Sequence, residues 1–382
     1  MTVHVVGVAG AGTMGAGIAQ LACLAGFETV LHDPQAEALE LGVHRLRTDL
    51  QRGISKGRWS DGEAIAAADR CSATEKLEGL AGCDLVVEAA PEDLELKRQL
   101  FAGLEAACRE DAVLATNTSS LPVSEIAAEA RLPERICGMH FFNPPALMKL
   151  VEVVAGERSS EDAVTAVAAV AERMGRTAVR CTDSPGFIVN RCNRPFALEA
   201  LRILEEGVAS HAAIDRIMRD DGGYRMGPFE LIDLIGIDVN LSVARSFYAQ
   251  RPIERWKPSP IQEQMVAEER FGRKAGRGFY EYGDDGKVEP DGAEPEPALR
   301  REILERVVSQ LVNEASFAVG EGVAKPDDID TAMRLGLNHP RGPFEWEREL
   351  GTTHVLATLE ALRSRTGDER YEPAPVLVRA AG

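Results

Sequence analysis

Three glycines near the start of the chain constrain its fold more than any other feature. A run with the pattern of a buried β-strand, residues 3–8, leads into them, and an Ala-rich, helix-compatible run from Met14 to Leu24 follows directly. In this order the first glycine permits the turn, the second lets a pyrophosphate approach the backbone, and the third lets the helix pack on the strand. The helix N-terminus adds amide N–H groups and positive potential. The six residues concerned are Gly10, Ala11, Gly12, Thr13, Met14 and Gly15.

An acidic residue follows at the spacing that a dinucleotide site requires. A second strand pattern, residues 29–32, ends at Asp33, which lies 33 − 12 = 21 residues after the middle glycine. A carboxylate here accepts hydrogen bonds from the ribose hydroxyls of an adenosine and repels a 2′-phosphate. The spacing therefore predicts NAD as the cofactor, rather than NADP. The alternative is that Asp33 only caps the turn before Pro34.

Further strand patterns alternate with helix-length segments, which predicts an α/β Rossmann-type domain with a mostly parallel sheet. The strand-like runs cover residues 84–88, 112–115, 136–139 and 150–154. Ligands on such sheets collect at the carboxyl ends of the strands, so the polar residues after each run are candidate site residues. They are Glu92 and Lys97, the segment 117–120, and His140 with Asn143.

Composition narrows the classes of partner. The formal net charge is −18, from 43 basic and 61 acidic residues, which argues against nucleic acid, whose phosphates require a basic surface. The sequence contains no apolar run long enough to cross a bilayer and no visible export signal, so we expect neither membrane insertion nor secretion. Seven scattered cysteines without a CxxC pair indicate reduced thiols in a cytoplasm, with no metal site and no disulfide.

Seven motifs in order resemble the NAD-dependent L-3-hydroxyacyl-CoA dehydrogenases, a family that includes 3-hydroxybutyryl-CoA dehydrogenases. The motifs are GAGTMGAGIAQ at 10–20, VVEAAPEDLELK at 86–97, NTSSL at 117–121, MHFFNPPALMKLVEVV at 139–154, DSPGFIVNR at 183–191, GPFELIDLIGIDV at 227–239 and GRKAGRGFYEY at 272–282. The resemblance covers most of the chain. It implies oxidation of a 3-hydroxyacyl-CoA to the 3-oxoacyl-CoA with NAD, as in fatty acid β-oxidation, or the reverse reaction.

Alcohol oxidation by hydride transfer needs a base for the hydroxyl proton, and His is the side chain that exchanges protons near neutral pH. His140 lies just beyond a predicted strand, and Glu152 follows 152 − 140 = 12 residues later on the next one. A carboxylate that accepts one ring N–H fixes the tautomer and stabilises the imidazolium. The resemblance implies that this pair is the catalytic dyad. The alternative is two unrelated polar residues on neighbouring strands.

The resemblance assigns the other site residues. Ser119 and Asn190 bind the reacting oxygen of the substrate, and Ser119 also lies among the cofactor contacts. Read without the family, Ser119 is a helix N-cap. The remaining implied cofactor contacts are Asn143, Glu92, Lys97 and Lys274, where a solvated pair on a charged helix is the alternative for Glu92 and Lys97. For coenzyme A the local cations Lys56 and Arg58 are candidates; Lys56 aligns with the family's contact, although this loop could simply be solvent-exposed.

The carboxyl-terminal part contains an internal repeat with a constant offset of 115 residues. Residues 206–209 recur at 321–324, Asp215 at Asp330, residues 227–230 at 342–345, and Gly236 at Gly351. A constant offset indicates duplication of one helical module. We expect a NAD-binding domain at 1–182, a first all-α copy at 183–282, a Gly- and Pro-rich linker at 283–298 and a second copy at 299–382.

The second copy lacks the catalytic positions, because Pro185, Gly186 and Asn190 become Arg300, Arg301 and Glu305. Single-module relatives generally pair through this module, so the second copy either replaces a partner within a monomer or leaves a homodimer. Two other functions stay open. One is a dehydrogenase of a free 3-hydroxy acid, and the other is an NAD-binding protein without turnover.

Overall fold

The computed structural model describes residues 2–283, 286–288 and 295–381, which form two compact units, Met1–Phe187 and Ile188–Gly382. The boundary lies beyond the predicted division at residue 182 because the intervening segment belongs to the first unit. Both carboxylate oxygens of Asp183 accept backbone N–H groups, those of Val123 and Ser124. Phe187 is buried there.

The first unit is built on one eight-stranded sheet. Its strands are β1 Val5–Ala9, β2 Glu28–His32, β3 Cys71–Thr74, β4 Leu85–Glu88, β5 Val113–Thr116, β6 Ile136–Phe141, β7 Leu150–Ala155 and β8 Thr177–Thr182. The spatial order is β3-β2-β1-β4-β5-β6-β7-β8. All neighbours are parallel except β6 and β7. The prediction of a Rossmann-type domain with a mostly parallel sheet is confirmed; β3 and β8 were not predicted.

Helices connect these strands and pack on the sheet. They are α1 Thr13–Leu24, α2 Ala36–Ser55, α3 Asp61–Asp69, α4 Leu94–Ala107, α5 Val123–Ile126 and α6 Glu161–Arg173, with 3-10 turns at Leu77–Leu80 and Pro133–Arg135. The strand order reverses direction at β1, whose neighbours are β2 and β4. Ligands of doubly wound sheets bind at the carboxyl ends of the strands beside such a reversal. The turn after β1, which contains the three glycines, lies there.

The second unit is helical. Its helices are α7 Val189–Cys192, α8 Arg194–Glu205, α9 His211–Asp220, α10 Pro228–Ile235, α11 Ile237–Gln250, α12 Pro260–Ala267, α13 Pro297–Gly320, α14 Pro326–Leu337, α15 Pro343–Leu350, α16 Thr352–Thr366 and α17 Pro375–Ala381. It also contains 3-10 turns at Glu254–Trp256, Arg273–Ala275 and Glu369–Tyr371, and a two-stranded antiparallel ribbon, β9 Glu281–Gly283 with β10 Gly286–Val288.

The predicted linker overlaps regular structure at both ends. Strand β10 lies within it, and α13 begins at Pro297. Asp284, Asp285 and residues 289–294 of the predicted linker lie outside the described residues.

Local geometry repeats at the 115-residue offset. Asp215 accepts the backbone N–H of Phe229 at 2.8 Å, and Asp330 accepts that of Phe344 at 2.8 Å. Gly227 and Gly342 are the N-cap residues of α10 and α15, and the backbone N–H of each donates to the Glu three residues later, at 3.0 and 2.8 Å. The aspartate and the glutamate thus satisfy first-turn N–H groups that a helix cannot pair internally.

Ion pairs join the two halves of the second unit reciprocally. Arg191 pairs with Glu314, and Arg306, 115 residues after Arg191, pairs with Glu199, 115 residues before Glu314. Arg191 also contacts Glu321, as Arg306 contacts Glu206. These contacts follow the 115-residue offset in both directions.

Candidate active site

The glycine turn has the geometry that a close-approaching ligand requires. Gly10 has φ of 114°, and a Cβ there would lie 2.6 Å from the carbonyl oxygen of Ala89. A Cβ on Gly15 would lie 1.8 Å from the carbonyl oxygen of Gly10. Nothing lies within 4 Å of a Cβ on Gly12, and no side chain caps the 12-residue helix α1. A side chain therefore has no room at Gly10 or Gly15, whereas the space beside Gly12 is open. The uncapped N-terminus of α1 beside this space fits a pyrophosphate.

Asp33 lies at the carboxyl end of β2, beside this turn. One oxygen accepts the N–H of Ala11 at 2.9 Å, and the other accepts that of Gln35 at 3.0 Å. The side chain therefore does cap the turn that follows it. It also ties β2 to the glycine turn, which leaves a half-buried carboxylate beside a helix N-terminus.

The loop 118–120 after β5 is organised by one carboxylate, that of Glu92. One of its oxygens accepts the hydroxyl of Thr118 at 2.7 Å and the backbone N–H groups of Ser119 and Ser120 at 2.9 and 3.0 Å. Partial burial opposes ionisation of Glu92, but the hydrogen bond from Thr118 and the charge of Lys97 hold its pKa below the ordinary 4.5. The charged carboxylate of Glu92 therefore holds the loop that contains Ser119.

Lys97 is buried, and the alternative that Glu92 and Lys97 form a solvated surface pair does not describe it. Its ammonium lies 2.6 Å from Glu88 and 3.4 Å from Glu92. Glu88 in turn accepts the hydroxyl of Thr116 at 2.6 Å. Glu88 and Thr116 were not among the predicted site residues, although a Glu and a Thr that end two buried strands were visible in the sequence.

The N-cap reading of Ser119 is wrong. The helix that follows begins at Val123, with Pro122 in the N-cap position. Ser119 is exposed in the loop, and its hydroxyl lies 3.3 Å from Glu92.

His140 and Glu152 face each other directly across the antiparallel pair β6 and β7. The ring Nδ1 lies 2.6 Å from a carboxylate oxygen of Glu152, which is fully buried. Phe142 and Phe187 cover the ring, with centroid distances of 4.6 and 5.7 Å. Because the carboxylate can only accept, Nδ1 carries the proton in the neutral ring and Nε2 is left as the acceptor.

The turn after β6 reaches back toward α1. Asn143 is exposed and is joined to Pro144 by a cis peptide bond, and a Cβ on Gly17 of α1 would contact Pro145 at 3.0 Å. The backbone N–H of Phe141 donates to the Asn117 side chain at 2.8 Å. The ends of β5 and β6 and the start of α1 are therefore packed together.

Lys56 and Arg58 are exposed in the loop after α2. Trp59 anchors this loop, since its indole N–H donates to the carbonyl of Leu50 at 2.7 Å. Asn190 and Lys274 belong to the second unit. Asn190 is half-buried on α7, and Lys274 is exposed and pairs with Asp238 at 2.7 Å.

A doubly wound sheet, a glycine turn on a helix N-terminus and a buried His–carboxylate pair together define an NAD-dependent oxidoreductase. The NAD-binding domain model of the 3-hydroxyacyl-CoA dehydrogenases matches residues 5–184, and the C-terminal domain model matches residues 186–282 and 303–381. The chain belongs to the 3-hydroxyacyl-CoA dehydrogenase family, as its motifs indicated.

Individual relatives and solved structures carry names of the same family. A 3-hydroxyadipyl-CoA dehydrogenase of Escherichia coli K12 is 35% identical over all of this chain and 98% of its own length. A probable 3-hydroxybutyryl-CoA dehydrogenase of Bacillus subtilis 168 is 42% identical over 74% of this chain and 98% of its own. A crystal structure described as 3-hydroxybutyryl-CoA dehydrogenase from Escherichia coli K12 superposes with a TM-score of 0.91 at 35% identity, covering 100% of this chain and 98% of the other.

None of the helices in the described residues is long and apolar enough to cross a membrane. The described residues also bring together no group of three or more His, Cys, Asp or Glu side chains that could hold a metal ion.

Proposed function

We propose that this enzyme interconverts an L-3-hydroxyacyl-CoA and the corresponding 3-oxoacyl-CoA, with His140 and Glu152 as its acid–base dyad. The observation that carries the proposal is the 2.6 Å contact between His140 Nδ1 and buried Glu152. When bound, NAD accepts or returns the hydride. His140 Nε2 takes the hydroxyl proton, and Glu152 stabilises the imidazolium that results.

We propose that Ser119 orients the reacting oxygen, and that Asn190 contributes the second polar contact to it. Neutral hydrogen-bonding groups can align a C–O bond without adding a competing charge. For the cofactor we propose contacts from the glycine turn, Asp33, Glu92, Lys97, Asn143 and Lys274. Lys56 is the proposed coenzyme A contact, since an exposed cation on an acidic chain gives phosphates a local partner.

Steady-state kinetics with paired substrates tests the activity. We expect turnover of L-3-hydroxyacyl-CoA thioesters and loss of it with the matching free hydroxy acids. A series of acyl lengths that includes a dicarboxylic one defines the specificity, and the relatives' names, 3-hydroxyadipyl-CoA and 3-hydroxybutyryl-CoA dehydrogenase, support both kinds of acyl group. Equal turnover of the free acid would replace the proposal with a hydroxy acid dehydrogenase.

The His140→Gln variant tests the dyad. It should lower kcat by about 10²-fold or more while NAD still binds, which is the range for loss of a general base. Near-normal turnover of the variant would refute the assignment, and no turnover of the wild type with any thioester would favour an NAD-binding protein without activity.

We further propose that the second unit is a duplicated helical module whose copies are related by the 115-residue offset, and that the copies pair within one chain. The repeated hydrogen bonds at the N-termini of α10 and α15 and the reciprocal Arg–Glu pairs support this. So does the match of one family model to two stretches. Light scattering after size-exclusion chromatography should give a monomer of 41.3 kDa, and a strict dimer at low concentration would contradict internal pairing.

Seven free thiols support a reducing compartment, and we propose the cytoplasm.

A further inference from the structure

The second helical copy lacks an equivalent of Asn190, but it holds the segment that carries Asn190. Asn190 lies on α7, a helix of only four residues. So short a helix gains little from its own hydrogen bonds. Packing and ion pairs therefore contribute to the placement of α7.

Pro195 interrupts the hydrogen bonding between α7 and the helix that follows. It lies in the first turn of α8 and has no N–H to donate to the carbonyl of Arg191, although Asn193 between the two helices keeps helical backbone geometry. At the equivalent position of the second copy, 195 + 115 = 310, the residue is Gln310, and there one continuous helix, α13, spans Pro297–Gly320. The interruption is thus particular to the copy that carries Asn190.

Arg191, the next residue after Asn190, connects α7 to the second copy. Its side chain is fully buried, with Nε 2.8 Å from Glu314 and Nη1 3.0 Å from Glu321. Glu314 is itself held in place, since its other oxygen accepts Nε of Arg255 at 2.6 Å and the indole N–H of Trp256 at 3.1 Å. Helix α7 also packs against α13 and α14. A buried, charge-assisted contact of this kind is geometrically strict.

We propose that Glu314 and Glu321 of the second copy are positioning residues for catalysis, which act through Arg191 to set the place of Asn190. This rests on the proposed contact of Asn190 with the reacting oxygen. The second copy then has a task in the reaction although it contains no catalytic residue of its own.

The repeat provides a matched control. Glu199 stands 115 residues before Glu314, is equally buried and pairs with Arg306, the equivalent of Arg191. The residue before Arg306 is Glu305, at the position that corresponds to Asn190. Glu314→Gln and Glu199→Gln therefore each remove a buried carboxylate that pairs with an arginine of the other copy, but only the first change affects the support of Asn190.

Both variants should lower Tm, Glu314→Gln by more, because it removes a charged partner from both Arg191 and Arg255, whereas Glu199→Gln removes one from Arg306 alone. Glu314→Gln should lower kcat about 10-fold or more, since misplacement of a contact to the reacting group is costly, with the KM for NAD unchanged. Glu199→Gln should keep kcat within about two-fold of the wild type. Equal loss of kcat in both variants, or none in Glu314→Gln, would overturn the proposal.

A double-mutant cycle with Asn190→Ala separates positioning from general destabilisation. If Glu314 acts through Asn190, Glu314→Gln should change kcat by less than about two-fold once Asn190 is absent. A full additional loss of kcat would show that Glu314 acts by another route. Wild-type kcat in Asn190→Ala alone would refute both the proposed role of Asn190 and the positioning that depends on it, whereas an impaired Asn190→Ala beside a normal Glu314→Gln would refute positioning only.

A milder pair of variants covers the case in which Glu314→Gln does not fold. Glu321 and its equivalent Glu206 are only half-buried, so Glu321→Gln and Glu206→Gln should both remain folded. We expect a loss of kcat of about 3-fold in the first and none in the second. Unchanged kcat in both would overturn the proposal.

Discussion

Replacing Glu152 by Gln tests how much of the turnover depends on the charge beside His140. Glu152 is fully buried, and its oxygen lies 2.6 Å from Nδ1, so the variant loses a charge-assisted contact with little change of shape. A hydrogen bond to a charged group contributes about 1.5–3 kcal/mol. At about 1.36 kcal/mol for each factor of ten, kcat should fall between about 10- and 150-fold.

The loss becomes larger if the new amide turns its NH₂ toward the ring. Nδ1 would then have to accept, the proton would move to Nε2, and the ring could no longer take a proton from the substrate. Reversal of the tautomer in this way costs about 10⁴-fold in a serine protease triad. The expected range for Glu152→Gln is therefore about 10- to 10⁴-fold.

The assay is the initial rate of NADH formation at saturating substrate, together with the Kd of NAD from fluorescence titration. The Kd should not change, because Glu152 contacts the ring of His140 and lies on β7, away from the glycine turn after β1. Glu157→Gln is the matched control, since that carboxylate is exposed just after the same strand. Wild-type kcat in Glu152→Gln, with Tm and Kd intact, would refute the dyad.

Two further predictions concern the cofactor site and the loop of Ser119. Asp33→Asn keeps an oxygen for the N–H of Ala11 but removes the charge that repels a 2′-phosphate, so the preference for NAD over NADP in kcat/KM should fall about 10-fold; an unchanged preference would contradict the role of Asp33. The pKa of Glu92 is lowered in the folded chain, so its stabilising effect is present above about pH 4.5 and is lost as the pH falls through the folded value. The Tm difference between wild type and Glu92→Gln should therefore be largest near neutral pH and vanish in acid, and a difference independent of pH would contradict this reasoning.

Much of the first unit was predictable because its signals are local. A glycine turn between a strand and a helix has few alternatives, and the spacing to Asp33 follows from the length of one helix. β3 and β8 were missed because their exposed residues interrupt the apolar pattern; Cys71–Thr74 has no fully buried residue. The N-cap reading of Ser119 failed because Glu92, distant in sequence, supplies the acceptor that orders this loop.

The reciprocal ion pairs show a different limit of prediction from the sequence. The constant offset was visible in the sequence, and it also relates Arg191 to Arg306 and Glu199 to Glu314. The residues expected to be catalytic do not recur at this offset. The arginines of these pairs have no local signature in the sequence, because in both pairs the glutamate lies more than 100 residues away.

There is a physical reason why the Arg–Glu pairs recur at the 115-residue offset and the expected catalytic residues do not. In the proposed duplicated arrangement a contact between the copies occurs twice, so both copies must keep the Arg and the Glu or a buried charge is left without its partner. The proposed contact of Asn190 with the substrate is made once, so nothing is lost when Glu305 stands at the corresponding position. On this proposal the same reasoning accounts for Pro195 and Gln310: only the copy with Asn190 interrupts its helical hydrogen bonding, and the other continues as α13.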